Sequence, residues 1–222
     1  MFFSIQFLRG IAALMVVLTH IAHKGQQYGT GSLNWFHVGG NGVDLFFIIS
    51  GFIMCVTTHN KKITLLNFLL HRVIRIIPLY WVLSLAALIV FLIAPQMVNS
   101  SGGKTGIIQS FFLIPDGVKF LIQNGWTLSY EFYYYLIFAV FIFLTDVRSM
   151  RYLGVSLTIL LLSVIGLILQ PVTPLPAFLF SNMLLEFMLG VLEFVMISNV
   201  KLGQVSACLM IVLGLSWVTY NN

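Results

Sequence analysis

Long apolar runs, separated by short polar segments, follow one another along the whole chain, and two of them, 79–94 and 153–169, contain no charged residue. A helix needs about 20 mostly apolar residues to cross the hydrocarbon core of a bilayer. A transmembrane barrel would instead show stretches of about ten residues with alternating polarity. The pattern therefore predicts an all-α, polytopic transmembrane helix bundle. The chain offers about seven spans, at 4–22, 43–59, 76–94, 127–144, 152–169, 178–197 and 203–219.

Composition supports the same conclusion. Of the 222 residues, 59% are apolar and only 8% are charged, whereas a soluble domain carries about 25% charged residues. So few charges leave too little polar surface to face water on all sides. We therefore expect one membrane-embedded domain over 1–222, in contact with membrane lipids.

The basic residues indicate how the chain is oriented in the membrane. If the N-terminus is cytoplasmic, eight Lys and Arg residues lie on the inner side and three on the outer side. The inner ones are Arg9, Lys61, Lys62, Arg72, Arg75, Arg148, Arg151 and Lys201, and the outer ones are Lys24, Lys104 and Lys119. Cytoplasmic loops are enriched in Lys and Arg, so this orientation is favoured. It also accounts for the net charge of +5 without a nucleic-acid partner.

Ionisable residues inside a span are costly and are candidates for function. Four such residues stand out: Arg9, His20, Asp44 and Glu131. Arg9 and His20 are about three helical turns apart, so both project from one helix face, about 16 Å apart along the axis. His20, Asp44 and Glu131 are then expected in the outer half of the membrane. Arg9 belongs to the inner side, where the loop 60–75 contributes two more arginines.

This distribution predicts a division of chemical roles. A histidine beside a carboxylate is held in one tautomer and can take a proton from a hydroxyl. The guanidinium groups of Arg9, Arg72 and Arg75 present planar donor forks that suit phosphates. Together these residues suit a phosphorylated donor from the cytoplasm and a hydroxyl acceptor on the outer side.

Structural roles for the same residues remain open at this point. His20 can end a helix at the interface, and Asp44 can complement a helix dipole. A nearby tyrosine can simply hydrogen-bond Glu131, and Arg72 and Arg75 can serve as orientation anchors. His23, three residues after His20, lies on the same helical face and could form a metal-binding pair with it, but no third ligand lies at suitable spacing, so no metal site is expected.

Four segments, in order and with matching spacing, resemble the acyltransferase-3 family of membrane O-acyltransferases. They are IQFLRGIAALMVVLTH (5–20), GNGVDLFFIISGFIM (40–54), HRVIRIIPLYW (71–81) and GWTLSYEFYYYL (125–136). The last resembles the family's Trp-Ser-Leu-x-x-Glu motif, with Thr127 in place of the serine. The segments lie within residues 1–145, and their residues are most similar to those of the branch that acetylates exopolysaccharides.

The resemblance implies a multi-pass protein of the bacterial inner membrane that transfers an acyl group from cytoplasmic acyl-CoA, usually acetyl-CoA, to a carbohydrate hydroxyl. It implies no bound cofactor. By motif match, His20 is the catalytic histidine, with Glu131 and Asp44 as the functional carboxylates. Arg9, Arg72 and Arg75 would serve the donor.

Family members usually have about ten spans, so we expect a domain that is C-terminally incomplete. Two other functions compete with transfer. One is a transporter that moves a glycan precursor without chemistry, because intramembrane charges suit that role as well. The other is an inactive, truncated family member.

Overall fold

The computed structural model describes residues 2–29, 40–61, 63–98 and 102–199. In chain order its helices are α1 (Phe2–Gln27), α2 (Asn41–Thr58), α3 (Leu65–Ile93), α4 (Pro95–Val98), α5 (Ile107–Phe112), α6 (Gly125–Leu144), α7 (Arg148–Leu169), α8 (Pro174–Leu179) and α9 (Leu184–Asn199). No strand forms within these residues; an isolated bridge joins Thr105 and Lys119. The predicted all-α class is therefore confirmed.

Six segments of the described chain are long and apolar enough to cross a membrane. Five are single helices: α1, α2, α3, α6 and α7. The sixth, Pro174–Ser198, combines α8 and α9, which are separated by a short break. All six correspond to spans predicted from the sequence, and the seventh predicted span, 203–219, lies outside the described residues.

The largest boundary error concerns the third span. The sequence predicts it at 76–94, but α3 begins at Leu65, about three turns earlier. Thr64 is the N-cap in extended conformation, and its hydroxyl accepts a hydrogen bond from the backbone N–H of Asn67 at 3.4 Å. The residues that follow keep apolar side chains at helical spacing, so the helix continues through the basic segment.

Consequently the prediction that Arg72 and Arg75 lie in a loop at 60–75 is wrong. Both arginines lie within α3, and Arg72 is buried. The basic side chains suggested a cytoplasmic loop, but a long arginine can remain in a helix when its head group finds partners there.

The chain divides into two compact units. Unit 1 contains α1, α2 and α9, and unit 2 contains α3 to α8. The chain passes from one unit to the other after Asn60 and again after Leu184, at the start of α9.

In unit 1, α2 runs antiparallel to α1. Gly42, at the start of α2, lies against Ala12 and Val16, and a Cβ atom at this glycine would approach the Ala12 carbonyl oxygen to 2.8 Å. Ile53, later in α2, belongs to the same apolar cluster as Ile5, near the start of α1. The absence of a side chain at position 42 therefore permits this close contact.

Helix α9 packs parallel to α2 through two glycines. A Cβ atom at Gly190 would lie 2.0 Å from the Ile48 carbonyl oxygen, and one at Gly51 would lie 2.1 Å from that of Phe187. Phe47 stacks on Phe187 with ring centroids 4.5 Å apart, and further along both helices Phe52 meets Phe194 with centroids 5.7 Å apart, so the two helices run in the same direction. For two spans to run parallel, the chain must cross the membrane an odd number of times between them. Helices α3, α6 and α7 are each long and apolar enough to provide one of three such crossings.

In unit 2, α6 packs antiparallel to the first half of α3. Phe68 stacks on Phe138 with centroids 5.7 Å apart, whereas Gly125, at the start of α6, lies beside the hydroxyl of Tyr80. Tyr80 is near the middle of α3, so the two helices are staggered by about half of α3.

The segment that precedes α6 docks at this same level of α3. The Tyr80 hydroxyl donates to the carbonyl oxygen of Ser110 at 2.7 Å, and the Trp81 indole donates to that of Phe111 at 2.9 Å. The Ser129 hydroxyl of α6 donates to the Leu113 carbonyl oxygen at 2.9 Å. These bonds fix the start of α6 against α3 and thereby set the position of Glu131.

Candidate functional site

Arg72 is a buried cation within a membrane-spanning helix, with 8% of its surface exposed. Its guanidinium carbon lies 5.2 Å from the ring centroid of Phe68 and 5.7 Å from that of Tyr135. Phe68 precedes Arg72 by one turn of α3, and Tyr135 comes from α6. Such cation–π contacts are strongest where water is excluded. They help to explain how a guanidinium is retained at this depth.

Tyr135 also contacts the candidate carboxylate. It is only 2% exposed, and its hydroxyl donates a hydrogen bond to Glu131 Oε1, one turn earlier on α6. The tyrosine hydrogen bond that the sequence left as one alternative for Glu131 is therefore present. Arg72 and Glu131 also attract each other electrostatically. We call these three residues the Arg72–Tyr135–Glu131 cluster.

This cluster changes the picture drawn from the sequence. The sequence assigned Arg72 to the inner side of the membrane and Glu131 to the outer half. The structure instead links them through Tyr135. The stagger between α3 and α6 is the reason, because it places the basic turn of α3 beside the middle of α6. Arg75, one turn beyond Arg72, is exposed and acts on the cluster through its charge.

Unit 1 contains a different pair of ionisable residues. Asp44 and Glu186 share a side-chain hydrogen bond, and each lies in the first turn of its helix, α2 or α9. A hydrogen bond between two carboxyl groups requires that one of them carry a proton. The remaining negative charge lies where two parallel helix dipoles present their positive ends. The dipole role left open for Asp44 is thus consistent with its position.

Glu186 was missed by the sequence reasoning, although a signal was available. It interrupts the apolar sequence LLEFMLG within the predicted span 178–197. The rule that singled out Asp44 and Glu131, an ionisable residue inside a span, applies equally to Glu186.

His20 and Arg9 lie on α1 in unit 1, where His20 is exposed and Arg9 is half-buried. The start of α2 packs against Ala12 and Val16, so His20 lies about one turn beyond this contact. Because α2 runs antiparallel to α1, Asp44, which lies further into α2 than Gly42, is on the other side of this contact from His20 along the helix axes. The register therefore separates His20 from Asp44 along the helix axes, contrary to the expectation that they share one depth.

The structure thus distributes the six predicted site residues between the two units. Arg9, His20 and Asp44 belong to unit 1. Arg72, Arg75 and Glu131 belong to unit 2. An approach of His20 to Glu131 stays a prediction. Across the described ranges, no three His, Cys, Asp or Glu side chains lie together as a metal site would require.

Comparison with known proteins places this arrangement in a family. The profile of a family described as an acyltransferase domain, acyltransferase-3, matches residues 2–221. The match extends well beyond the four motif segments, which end before residue 145. No solved structure matches the chain.

Three curated relatives share part of the sequence. The exopolysaccharide production protein ExoZ of Rhizobium meliloti is 31% identical over 58% of this chain and 40% of its own length. The acyltransferase MdmB of Streptomyces mycarofaciens is 31% identical over 61% of this chain and 38% of its own length. The peptidoglycan O-acetyltransferase OatA of Listeria monocytogenes is 26% identical over 68% of this chain and 26% of its own length.

The matched region thus spans less than half the length of each of these relatives. The profile nevertheless covers nearly the whole chain, and the described part has the helical spans that the four motifs imply. The chain therefore belongs to the acyltransferase-3 family.

Proposed function

We propose that this chain transfers an acyl group, most simply acetyl, from cytoplasmic acyl-CoA to a hydroxyl of a cell-surface or exported carbohydrate. The reaction would take place at the bacterial inner membrane, with the N-terminus of this multi-pass chain in the cytoplasm. Family membership supports acyl transfer. The printed names of two relatives, one concerned with exopolysaccharide and one with peptidoglycan, support a carbohydrate acceptor.

The Arg72–Tyr135–Glu131 cluster is the observation that carries this proposal. It holds a cation and a carboxyl group inside membrane-spanning helices, where such groups are rarely kept without a function. Arg75 is exposed one turn away, so its planar fork is open to the phosphates of CoA. Arg72 adds a second, fixed positive charge behind it, and Arg9 on α1 would be a third donor-binding residue.

In the proposed reaction, His20 takes the proton of the acceptor hydroxyl as the hydroxyl oxygen attacks the carbonyl carbon of the thioester. The ester C–O bond forms and the C–S bond breaks. CoA leaves as the thiolate, which accepts the proton from His20. Glu131 and Asp44 are the carboxyl groups proposed to assist His20. An intermediate in which His20 carries the acyl group leads to the same products.

The test uses membranes that contain the full chain, acetyl-CoA labelled in the acetyl group, and glycan from the producing cell. We expect label in the glycan, and a loss of at least about a hundredfold with His20→Ala, because a positioned base contributes about that much. His23→Ala is the matched control, since His23 is exposed on the same helix three residues later.

Two results would contradict the proposal. If His20→Ala accumulates normally and keeps full transfer, His20 is not the base. If glycan crosses the membrane without acquiring label, the chain is a transporter without transfer chemistry. NMR of the surface polysaccharide from cells with and without the gene provides an independent readout, because O-acetyl signals should disappear.

A further inference from the structure

We propose that Tyr135 is a positioning residue for this transfer, because its hydroxyl orients Glu131 while its ring holds Arg72. This inference rests on the proposed function. Tyr135 lies in the segment 125–136 that resembles the family, but it follows the Trp-Ser-Leu-x-x-Glu motif, which ends at Glu131, and the sequence marks it only as one of several aromatic residues in α6.

The hydroxyl of Tyr135 constrains Glu131. A glutamate has three rotatable side-chain bonds and loses considerable rotamer freedom when it is held in one place. Tyr135 lies one turn further along the same helix, so its hydroxyl meets the carboxyl group without any distortion of the backbone. A phenol has a single O–H to donate. Here that O–H points at Oε1 of Glu131.

The ring of Tyr135 constrains Arg72 from the opposite helix. Phe68 and Tyr135 stand at an interplanar angle of 88°, with centroids 6.3 Å apart, and both lie within cation–π range of the guanidinium. Phe68 is on α3 together with Arg72, so it moves with the arginine. Tyr135 is therefore a contact that holds Arg72 to α6 and hence near Glu131.

These two contacts can be separated by substitution. Tyr135→Phe keeps the ring beneath Arg72 and removes the bond to Glu131, whereas Tyr135→Leu removes both. Tyr133→Phe is a matched control on the same helix. The Tyr133 hydroxyl donates to the backbone carbonyl of Leu179 at 3.3 Å, and Leu179 is not a proposed site residue.

The experiment measures transfer to glycan at varied acetyl-CoA concentration, using the full chain in membranes. With Tyr135→Phe we expect kcat to fall about ten- to a hundredfold, with KM for acetyl-CoA within about twofold. With Tyr135→Leu we expect KM for acetyl-CoA to rise as well, because Arg72 also loses its cross-helix contact. Tyr133→Phe should leave both constants near the wild-type values.

A purely structural role would lower the amount of active protein and leave KM unchanged in every variant. If Tyr135→Leu shows that behaviour, the inference is wrong. The same holds if Tyr135→Phe transfers at the wild-type rate. If the wild-type chain itself transfers no label, the proposed function fails instead, so the two failures are distinguishable.

Should Tyr135→Phe fail to accumulate, 3,5-difluorotyrosine at position 135 keeps the ring and the hydroxyl but makes the phenol a stronger hydrogen-bond donor. We expect this replacement to change kcat by at least about threefold, and the same replacement at position 133 to have no effect. Equal kcat values for position 135 and wild type would overturn the inference.

Discussion

The two units keep ionisable side chains in a bilayer by opposite means. Unit 2 brings together unlike charges, Arg72 and Glu131, and places aromatic rings around the cation. Unit 1 brings together two carboxyl groups, Asp44 and Glu186, which share a hydrogen bond at the ends of two parallel helices. The first arrangement depends on side-chain contacts, whereas the second depends on how closely two backbones approach.

This difference indicates where each region should be sensitive to substitution. In unit 2 a damaged contact can be confined to one side chain. In unit 1 the carboxyl groups meet because glycines allow α2 and α9 to touch. A change in the backbone approach should therefore disturb the whole helix pair.

The largest effect is expected at this backbone contact. Gly190→Ala would place a Cβ atom 2.0 Å from the Ile48 carbonyl oxygen, so the helices must separate. We expect a loss of about 3 kcal/mol in the free energy of unfolding, or failure to accumulate, because neither backbone can yield locally. Thermal unfolding in detergent measures this effect.

Gly10→Ala is the matched control, since the space around Gly10 on α1 is open to 4 Å. That substitution should be neutral or stabilising by up to about 1 kcal/mol, because glycine in a helix interior is unfavourable. If Gly190→Ala and Gly10→Ala change the free energy of unfolding by the same amount, close backbone contact between α2 and α9 does not stabilise unit 1.

A smaller effect is expected in unit 2 when the cation is removed. Arg72→Gln loses two cation–π contacts in a buried setting, and we expect a cost of about 2 kcal/mol in the free energy of unfolding. Arg75→Gln should cost less than about 0.5 kcal/mol, because Arg75 is exposed. The same unfolding assay compares the two. Equal costs would mean that the rings of Phe68 and Tyr135 do not stabilise Arg72.

The positions of these arginines also show what the sequence could predict. Apolar runs located six segments that form helices long and apolar enough to cross a membrane, because hydrophobicity is the main property that lets a segment enter a bilayer. The start of α3 was missed because the basic residues of 60–75 were taken as a loop that precedes the helix. Whether a cation terminates a span or lies within the bundle depends on its neighbours from another helix.

The candidate site was predictable to a similar extent. The rule that intramembrane charges are functional candidates found Asp44 and Glu131 and would have found Glu186. It could not find their partners. Which carboxyl group meets Asp44 depends on Gly51 and Gly190, which lie far apart in sequence and allow α2 and α9 to touch. Likewise, only the stagger between α3 and α6 brings Tyr135 to Arg72.

The smallest expected effect tests the carboxyl pair directly. In Glu186→Gln the side-chain amide can donate to Asp44, so one negative charge and one hydrogen bond remain, and the cost should stay below about 0.5 kcal/mol. Glu186→Leu removes the hydrogen bond and should cost about 1 to 2 kcal/mol in the unfolding assay. Glu193→Leu serves as control, because Glu193 is half-buried two turns further along α9 and lies outside the pair. A Gln variant as unstable as the Leu variant would mean that the shared proton itself, rather than a hydrogen bond of any kind, holds the two helix ends together.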